Sequence, residues 1–226
     1  TVPFVAKAVG APIASIAAKI MAGEALTAFD LRHAEARRVA VKEAVFPFAR
    51  FADVDPILGP EMRSTGEVMG WDDNFAAAFL KSQIAAGVTL PASGNAFLSV
   101  REDDKEEIIE IARGLVDLGF NLVATSGTAA HLQEQGLEAR IVRKVIDGKP
   151  NIVDDMKNGE IDLVFNTTEG LQSRKDSKSI RRTAVLGNIP YFTTMSGSSA
   201  AVKAIRVLQD QSLSVRALQQ ATSVPT

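Results

Sequence analysis

The 226 residues contain no cysteine, so a disulfide framework, a thiol nucleophile and a thiolate metal site are all excluded. One tryptophan and one tyrosine leave little aromatic surface for stacking on bases. Neither sign of charge is in excess: 25 Lys and Arg face 27 Asp and Glu, for a formal net charge of −2. A general nucleic-acid surface would need a basic surplus. The run "SRKDSKSIRR" (173–182) reads as a solvated helix face. Apolar runs are short and broken by Lys, Glu or Gly, so no membrane-spanning helix is expected. The opening stretch has lysines inside it and no charged leader ahead of an apolar core, so no signal peptide is expected and the reading is cytoplasmic. The two histidines, His33 and His131, offer little general acid–base chemistry, and His131 reads as a surface or partly packed helix residue.

What is present is an ordinary globular composition, 46 % hydrophobic and 23 % charged. Two regions differ in pattern. The first, about 1–90, is expected to be an incomplete α+β segment whose core strands lie upstream, since the chain starts at Thr1 in a helical pattern and reads as a fragment. It holds an amphipathic helix over 12–24, strand character within 39–51 ahead of Pro47 and a Pro- and Gly-rich stretch, "VDPILGPEMRSTGEVMGW". A helix at 74–87 follows, with Phe75, Phe79 and Ile84 assigned to its inner side. Glu61 and Glu67 resemble metal ligands only superficially, because nothing near them completes a site.

After a linker at 88–95 the second region, 91–226, alternates strands with helices. Strands are expected at 96–100, 121–125, 139–145, 161–168 and 189–194. Helices are expected at 103–119, from Thr128, at 151–158, around "SKSIRRTAV" and at 198–209. In the first of these helices Ile108, Ile109, Ala112, Leu115 and Val116 recur at helical spacing, and Gly119 closes it. This alternation predicts an α/β fold with a doubly wound, parallel, five-stranded sheet. The last residues, "LSVRALQQATSVPT", read as a weakly anchored tail.

Such sheets bind ligands beyond the carboxyl ends of their strands. Ser99, Thr125, Thr128, Lys144 and Asn166-Thr167-Thr168 fall at or just past predicted strand ends, and Lys105 lies in the first turn of the first helix. Taken singly, each is a cap or turn residue. Together, hydroxyls, an amide, two lysines and free helix N–H groups suit a phosphate.

The stretch "SVREDDKEEIIEIARGLVDLGFNLVATSGTAAHLQEQG" with "DLVFNTT" closely resembles the methylglyoxal-synthase-like regulatory domain. "TVPFVAKAVGAPIASIAAKIMAG" and "VDPILGPEMRSTGEVMG" resemble the closing segments of the second, ATP-grasp half in large chains of the carbamoyl phosphate synthetase family. The resemblance implies residues 1–90 from the carbamoyl-phosphate-forming half and 91–226 from an allosteric domain. It implies a nucleotide effector, UMP or IMP, with its phosphate on Lys105, Thr125, Thr128 and Lys144. Its nucleoside would lie on Ser99, Asn166 and Thr168. Ornithine would meet Glu43, Tyr191 and Thr193. No catalytic or metal-binding residue and no cofactor is expected in this chain, ATP and magnesium belonging to the parent enzyme. The implied partners are the rest of the large chain, a glutaminase small chain and other copies meeting through this domain; nucleic acid and membrane are not among them.

Three positions depart from the family pattern. Phe192 stands where some relatives carry aspartate, and Leu171 and Gln172 stand where bacterial relatives carry arginine, which removes positive charge from the pocket mouth. The alternative is methylglyoxal synthase acting on dihydroxyacetone phosphate, which needs a carboxylate base beside the cradle. The aligned position falls at or near Lys149, and no aspartate is there.

Overall fold

A computed structural model describes residues 2–29, 38–48, 62–170, 177–210, 213–215 and 217. His33, Glu61, Leu171 and Gln172 lie outside the described residues. The first region opens with helices α1 (Val2–Val9) and α2 (Ile13–Met21), neither of which buries a residue. A two-stranded antiparallel hairpin follows, β1 (Val39–Val45) paired with β2 (Gly66–Asp72). The strand expected in 39–51 ahead of Pro47 is β1, ending at Val45, and the Pro- and Gly-rich stretch holds a strand that composition hid. Gly70 explains β2: a Cβ there would stand 1.9 Å from the Ala78 carbonyl oxygen, so only glycine lets the strand lie this close to helix α3 (Phe75–Ala85).

Helix α3 begins at the Asn74 cap, whose side chain accepts from the Ala77 N–H at 2.9 Å. Its buried side is Ala77, Ala78, Phe79, Leu80, Ser82 and Gln83. Phe75 and Ile84, assigned inward by spacing, are about half exposed at 47 % and 48 %. Small residues let the hairpin and the neighbouring helix approach closely, and that rotates the larger pair outward.

The second region forms the expected parallel sheet. Its strands are β3 (Gly94–Ser99), β4 (Phe120–Thr125), β5 (Arg140–Val142), β6 (Leu163–Asn166) and β7 (Tyr191–Phe192). They lie in the order β5-β4-β3-β6-β7 with every pairing parallel. Helices α4 (Lys105–Asp117), α5 (Ser126–Glu134), α6 (Ile152–Lys157), α7 (Lys178–Leu186) and α8 (Met195–Asp210) complete it.

Strand alternation divides the core in two. Ala96, Leu98, Leu122, Ala124, Leu163 and Phe165 face one layer, packed with Ile108 and Leu115 of α4, Leu132 of α5, Ile205 of α8 and Phe79 and Leu80 of α3. Phe97, Val123, Val142 and Val164 face the other, against Ile152, Met156, Ile180 and Ala184. Each large apolar side chain buried here contributes about 1.5–3 kcal/mol. Val116, read as part of the inner stripe of α4, is 45 % exposed. Among the described residues no single helix is long and apolar enough to cross a membrane.

Candidate functional site

Strand order reverses between β3 and β6, which both leave the sheet centre at their carboxyl ends. A cleft of about 570 Å³ opens there. Ser99, Lys105, Thr125, Thr128, Lys144, Asn166 and Thr168 all line it, so the structure brings the seven residues of the predicted effector site to one place. Each arrives by a simple rule. Ser99, Thr125 and Asn166 are the last residues of β3, β4 and β6, and Ser99 pairs with Asn166 across the ladder. Lys105 opens α4 and Lys144 follows β5.

The Thr125-Ser126-Gly127-Thr128 turn is a strand end that becomes a helix start without a side-chain cap. Thr125 occupies the N-cap position of α5, which starts at Ser126, two residues before the helix expected from Thr128. Its hydroxyl makes no cap bond and donates instead to Ser99 Oγ at 3.3 Å. Thr128, buried, accepts from the Val100 N–H at 3.3 Å. The first-turn N–H groups of α5 have no carbonyl one turn earlier to receive them. Gly127 lines the cleft with ordinary negative φ, and a Cβ on it would meet nothing within 4 Å. The turn is thus open on its cleft side.

Two further features bear on what the cleft could hold. Asn166 is 4 % exposed, and its Nδ2 has no hydrogen-bond partner. Leaving such a donor unmet costs about 1–3 kcal/mol, which a ligand acceptor would recover. The cations are Lys105, Lys144 and Arg101, set against Glu102 and Glu169. Lys105 Nζ holds Glu102 at 2.7 Å, a pair whose glutamate is 82 % exposed and easily displaced.

Sequence reasoning missed Arg101, Asp104 and the role of Thr167. The Arg101 N–H donates to Thr167 Oγ1 at 3.2 Å, and Arg101 Nε donates to Asp104 Oδ2 at 3.0 Å. Burial would raise the Asp104 carboxyl, but hydrogen bonds from Arg101 and Thr167 and the Arg101 charge outweigh it and hold the group below its ordinary value. The signal was "REDD" (101–104) just past the end of β3, and it takes the fold to bring Thr167 alongside.

The three residues expected at an ornithine site lie outside this cleft. Glu43, on β1, accepts from Gln83 Nε2 of α3 at 3.0 Å, and burial pushes its carboxyl above the ordinary value despite that bond. Tyr191 packs on the sheet face of Val164 and Ile180, whereas Phe192 turns to the α3 side against Phe79 and Phe165. Thr193 is exposed just beyond β7. Tyr191 and Glu43 thus stand on opposite sides of the sheet. Of the remaining candidates, Glu67 pairs with Lys42 at 2.5 Å. His131 lies between Glu106 and Glu134 at 3.7 and 3.6 Å. No cluster of three or more His, Cys, Asp or Glu with metal-binding geometry occurs among the described residues.

Residues 107–193 match the family model described as "MGS-like domain". The chain carries an MGS-like domain. That span holds Thr125, Thr128, Lys144, Asn166 and Thr168, with Ser99 and Lys105 just ahead of it. Beyond the MGS-like domain, the chain is similar along nearly its whole length to the C-terminal part of carbamoyl phosphate synthase large chains. It is 52 % identical over 225 residues to the one from Rhizobium meliloti, covering 97 % of this chain and 19 % of that protein. The Mesorhizobium japonicum large chain is 53 % identical over 228 residues, with 97 % and 19 % coverage. The "Carbamoyl phosphate synthase large chain, C-terminal section" of Methanopyrus kandleri is 50 % identical over 225 residues, covering 96 % of this chain and 42 % of that protein. The chain therefore spans about a fifth of the length of the full large chains it matches.

Proposed function

We propose that this chain is the effector-binding region of a carbamoyl phosphate synthase and that its cleft takes a nucleoside monophosphate of the UMP or IMP type. The observation that carries the reading is the convergence of seven residues on one cleft, with an uncapped helix start and the unmet Asn166 amide inside it. The phosphate would sit on the first-turn N–H groups of α5 with Thr125, Thr128, Lys105 and Lys144; a helix start and two lysines suit a dianion. The nucleoside would lie toward Ser99, Asn166 and Thr168, where Asn166 Nδ2 offers a donor to a base or ribose oxygen. Occupancy regulates the parent enzyme by favouring one of its conformational states.

On this reading the parent forms carbamoyl phosphate from bicarbonate and glutamine-derived ammonia, using ATP and magnesium, in the cytoplasm and ahead of arginine and pyrimidine synthesis. Its partners are the rest of the large chain and a glutaminase small chain, with contacts between copies through the MGS-like domain. The chain alone is inactive. Ornithine is proposed as a second effector, its ammonium drawn to Glu43.

A methylglyoxal synthase needs a carboxylate base poised to take a carbon-bound proton. The carboxylates that line this cleft, Glu102 and Glu169, are exposed, and the neighbouring Asp104 is buried against Arg101 and held low, which suits an anchor better than a base. Calorimetric titration with UMP, IMP, ornithine and dihydroxyacetone phosphate tests the proposal. Nucleotide binding lost in Lys105→Ala supports it; binding of the triose phosphate alone, with turnover, overturns it.

A further inference from the structure

Helices α4 and α5 pack into the same core layer, and both supply the phosphate end of the cleft: Lys105 opens α4, and Thr128 lies in the first turn of α5. Polar contacts join the two helices at two levels. Far from the cleft, Arg113 of α4 donates through Nη2 to the carbonyl of Gln135, the C-cap of α5, at 3.1 Å. Near the cleft stands His131, three residues past Thr128 on α5, with its Nε2 3.7 Å from Oε1 of Glu106, the residue after Lys105. Its Nδ1 lies 3.6 Å from Oε2 of Glu134. Neither distance is short enough for a hydrogen bond, and Nε2 is buried without a partner. Glu106 itself is 90 % exposed and free to swing inward. The far contact holds at any pH, because arginine keeps its charge. The near one depends on a histidine, whose charge changes between about pH 5 and 8.

We infer that His131 is a positioning residue: its protonated ring draws Glu106 onto α5 and clamps the first turn of α4 beside the phosphate cradle, so that effector affinity rises as pH falls. The inference deepens the proposed function and rests on it. A neutral imidazole has one N–H and satisfies one of its two glutamates; the protonated ring has two and satisfies both. The cradle needs groups from both helices, the α5 N–H groups and Thr128 on one side and Lys105 on the other. Holding the two helix starts at a fixed spacing lowers the cost of ordering them around a ligand. The other charged groups near this contact are already engaged. Lys105 holds Glu102 at 2.7 Å, Arg113 is on the Gln135 carbonyl, and Arg140 of β5 is held by Asp155 and Glu160. Strand β4 carries no titratable side chain. Among the described residues, no carboxylate other than Glu106 and Glu134 lies within ion-pair distance of the ring.

The test is the pH profile of UMP affinity in the 226-residue chain, in His131→Gln and in Glu106→Gln, by calorimetry from pH 5.5 to 8. The phosphate of UMP itself titrates near pH 6, and comparing native chain with variant at each pH cancels that contribution. At pH 8 the three proteins should bind UMP alike, which a merely structural role for His131 would not give. At pH 5.5 the native chain should bind about threefold tighter than either variant, the size expected of an exposed ion pair. Inorganic phosphate should show the same pH-dependent gain, because the clamp acts at the phosphate end. Glu106 is exposed, so Glu106→Gln keeps the test intact if His131→Gln does not fold. Parallel profiles in native chain and variants, or a gain that survives Glu106→Gln, overturn the inference while the effector reading stands. Failure of the unsubstituted chain to bind UMP overturns both.

Discussion

Ser99 and Asn166 face each other across the last rung of the β3–β6 ladder, and the cleft opens directly beyond them. One gives a hydroxyl already joined to Thr125, and the other gives an amide with no partner. The place where the sheet stops being satisfied by itself is the place where a ligand would complete it. Asn166→Ala should therefore cost little stability, since the donor it removes is unmet, yet weaken UMP by about tenfold. Melting temperature and calorimetry on the same preparation check both halves.

Gly127 offers a prediction in which stability and binding move in opposite directions. Alanine at this helical position has open space and ordinary φ, so it should stabilise the fold by about 0.5–1 kcal/mol. The added methyl projects toward the cleft that Gly127 lines and should reduce UMP affinity. A higher melting temperature with unchanged affinity would show that the ligand does not approach this turn.

The two perturbed carboxylates predict opposite pH behaviour. Asp104 is held below its ordinary value, so the stability it contributes is present above the unfolded value of about 4 and is lost as pH falls through the lower folded one. The melting-temperature gap between the native chain and Asp104→Asn should close on acidification. Glu43 is raised, so its contribution is fully present below the unfolded value and is lost as pH rises through the folded one. Glu43→Gln should therefore melt higher than the native chain at pH 7, with the difference shrinking toward pH 4.

Gly70→Ala tests why the hairpin sits where it does. The new methyl would collide with the Ala78 carbonyl and the Ser82 nitrogen, both backbone, so the contact cannot be relieved by a rotamer change. A loss of about 1–3 kcal/mol is expected from denaturant unfolding.

Much of this architecture is legible in the sequence, because alternating apolar residues in "AFLSV" and "NLVAT" and the helical stripe of α4 each carry one period. The strand ends followed from the same pattern, and with them six of the seven cleft residues; Lys105 came from the helix start. What escaped depends on neighbours from elsewhere in the chain. Strand β2 exists because Gly70 fits under α3, and Phe75 and Ile84 turn outward because alanines make that contact. The bond from the Arg101 N–H to Thr167 Oγ1 joins residues more than sixty positions apart, and no local spacing encodes it.

Titrating the chain calorimetrically with UMP and with uridine, in the native protein and in Lys144→Ala, measures the central claim most directly. Lys144 is exposed at the cleft and away from the core, so its removal leaves the fold alone. The account predicts UMP binding well above that of uridine, with most of the difference gone in the variant. Equal binding of UMP and uridine, or a UMP affinity indifferent to Lys144, would contradict a phosphate cradle at the end of β4.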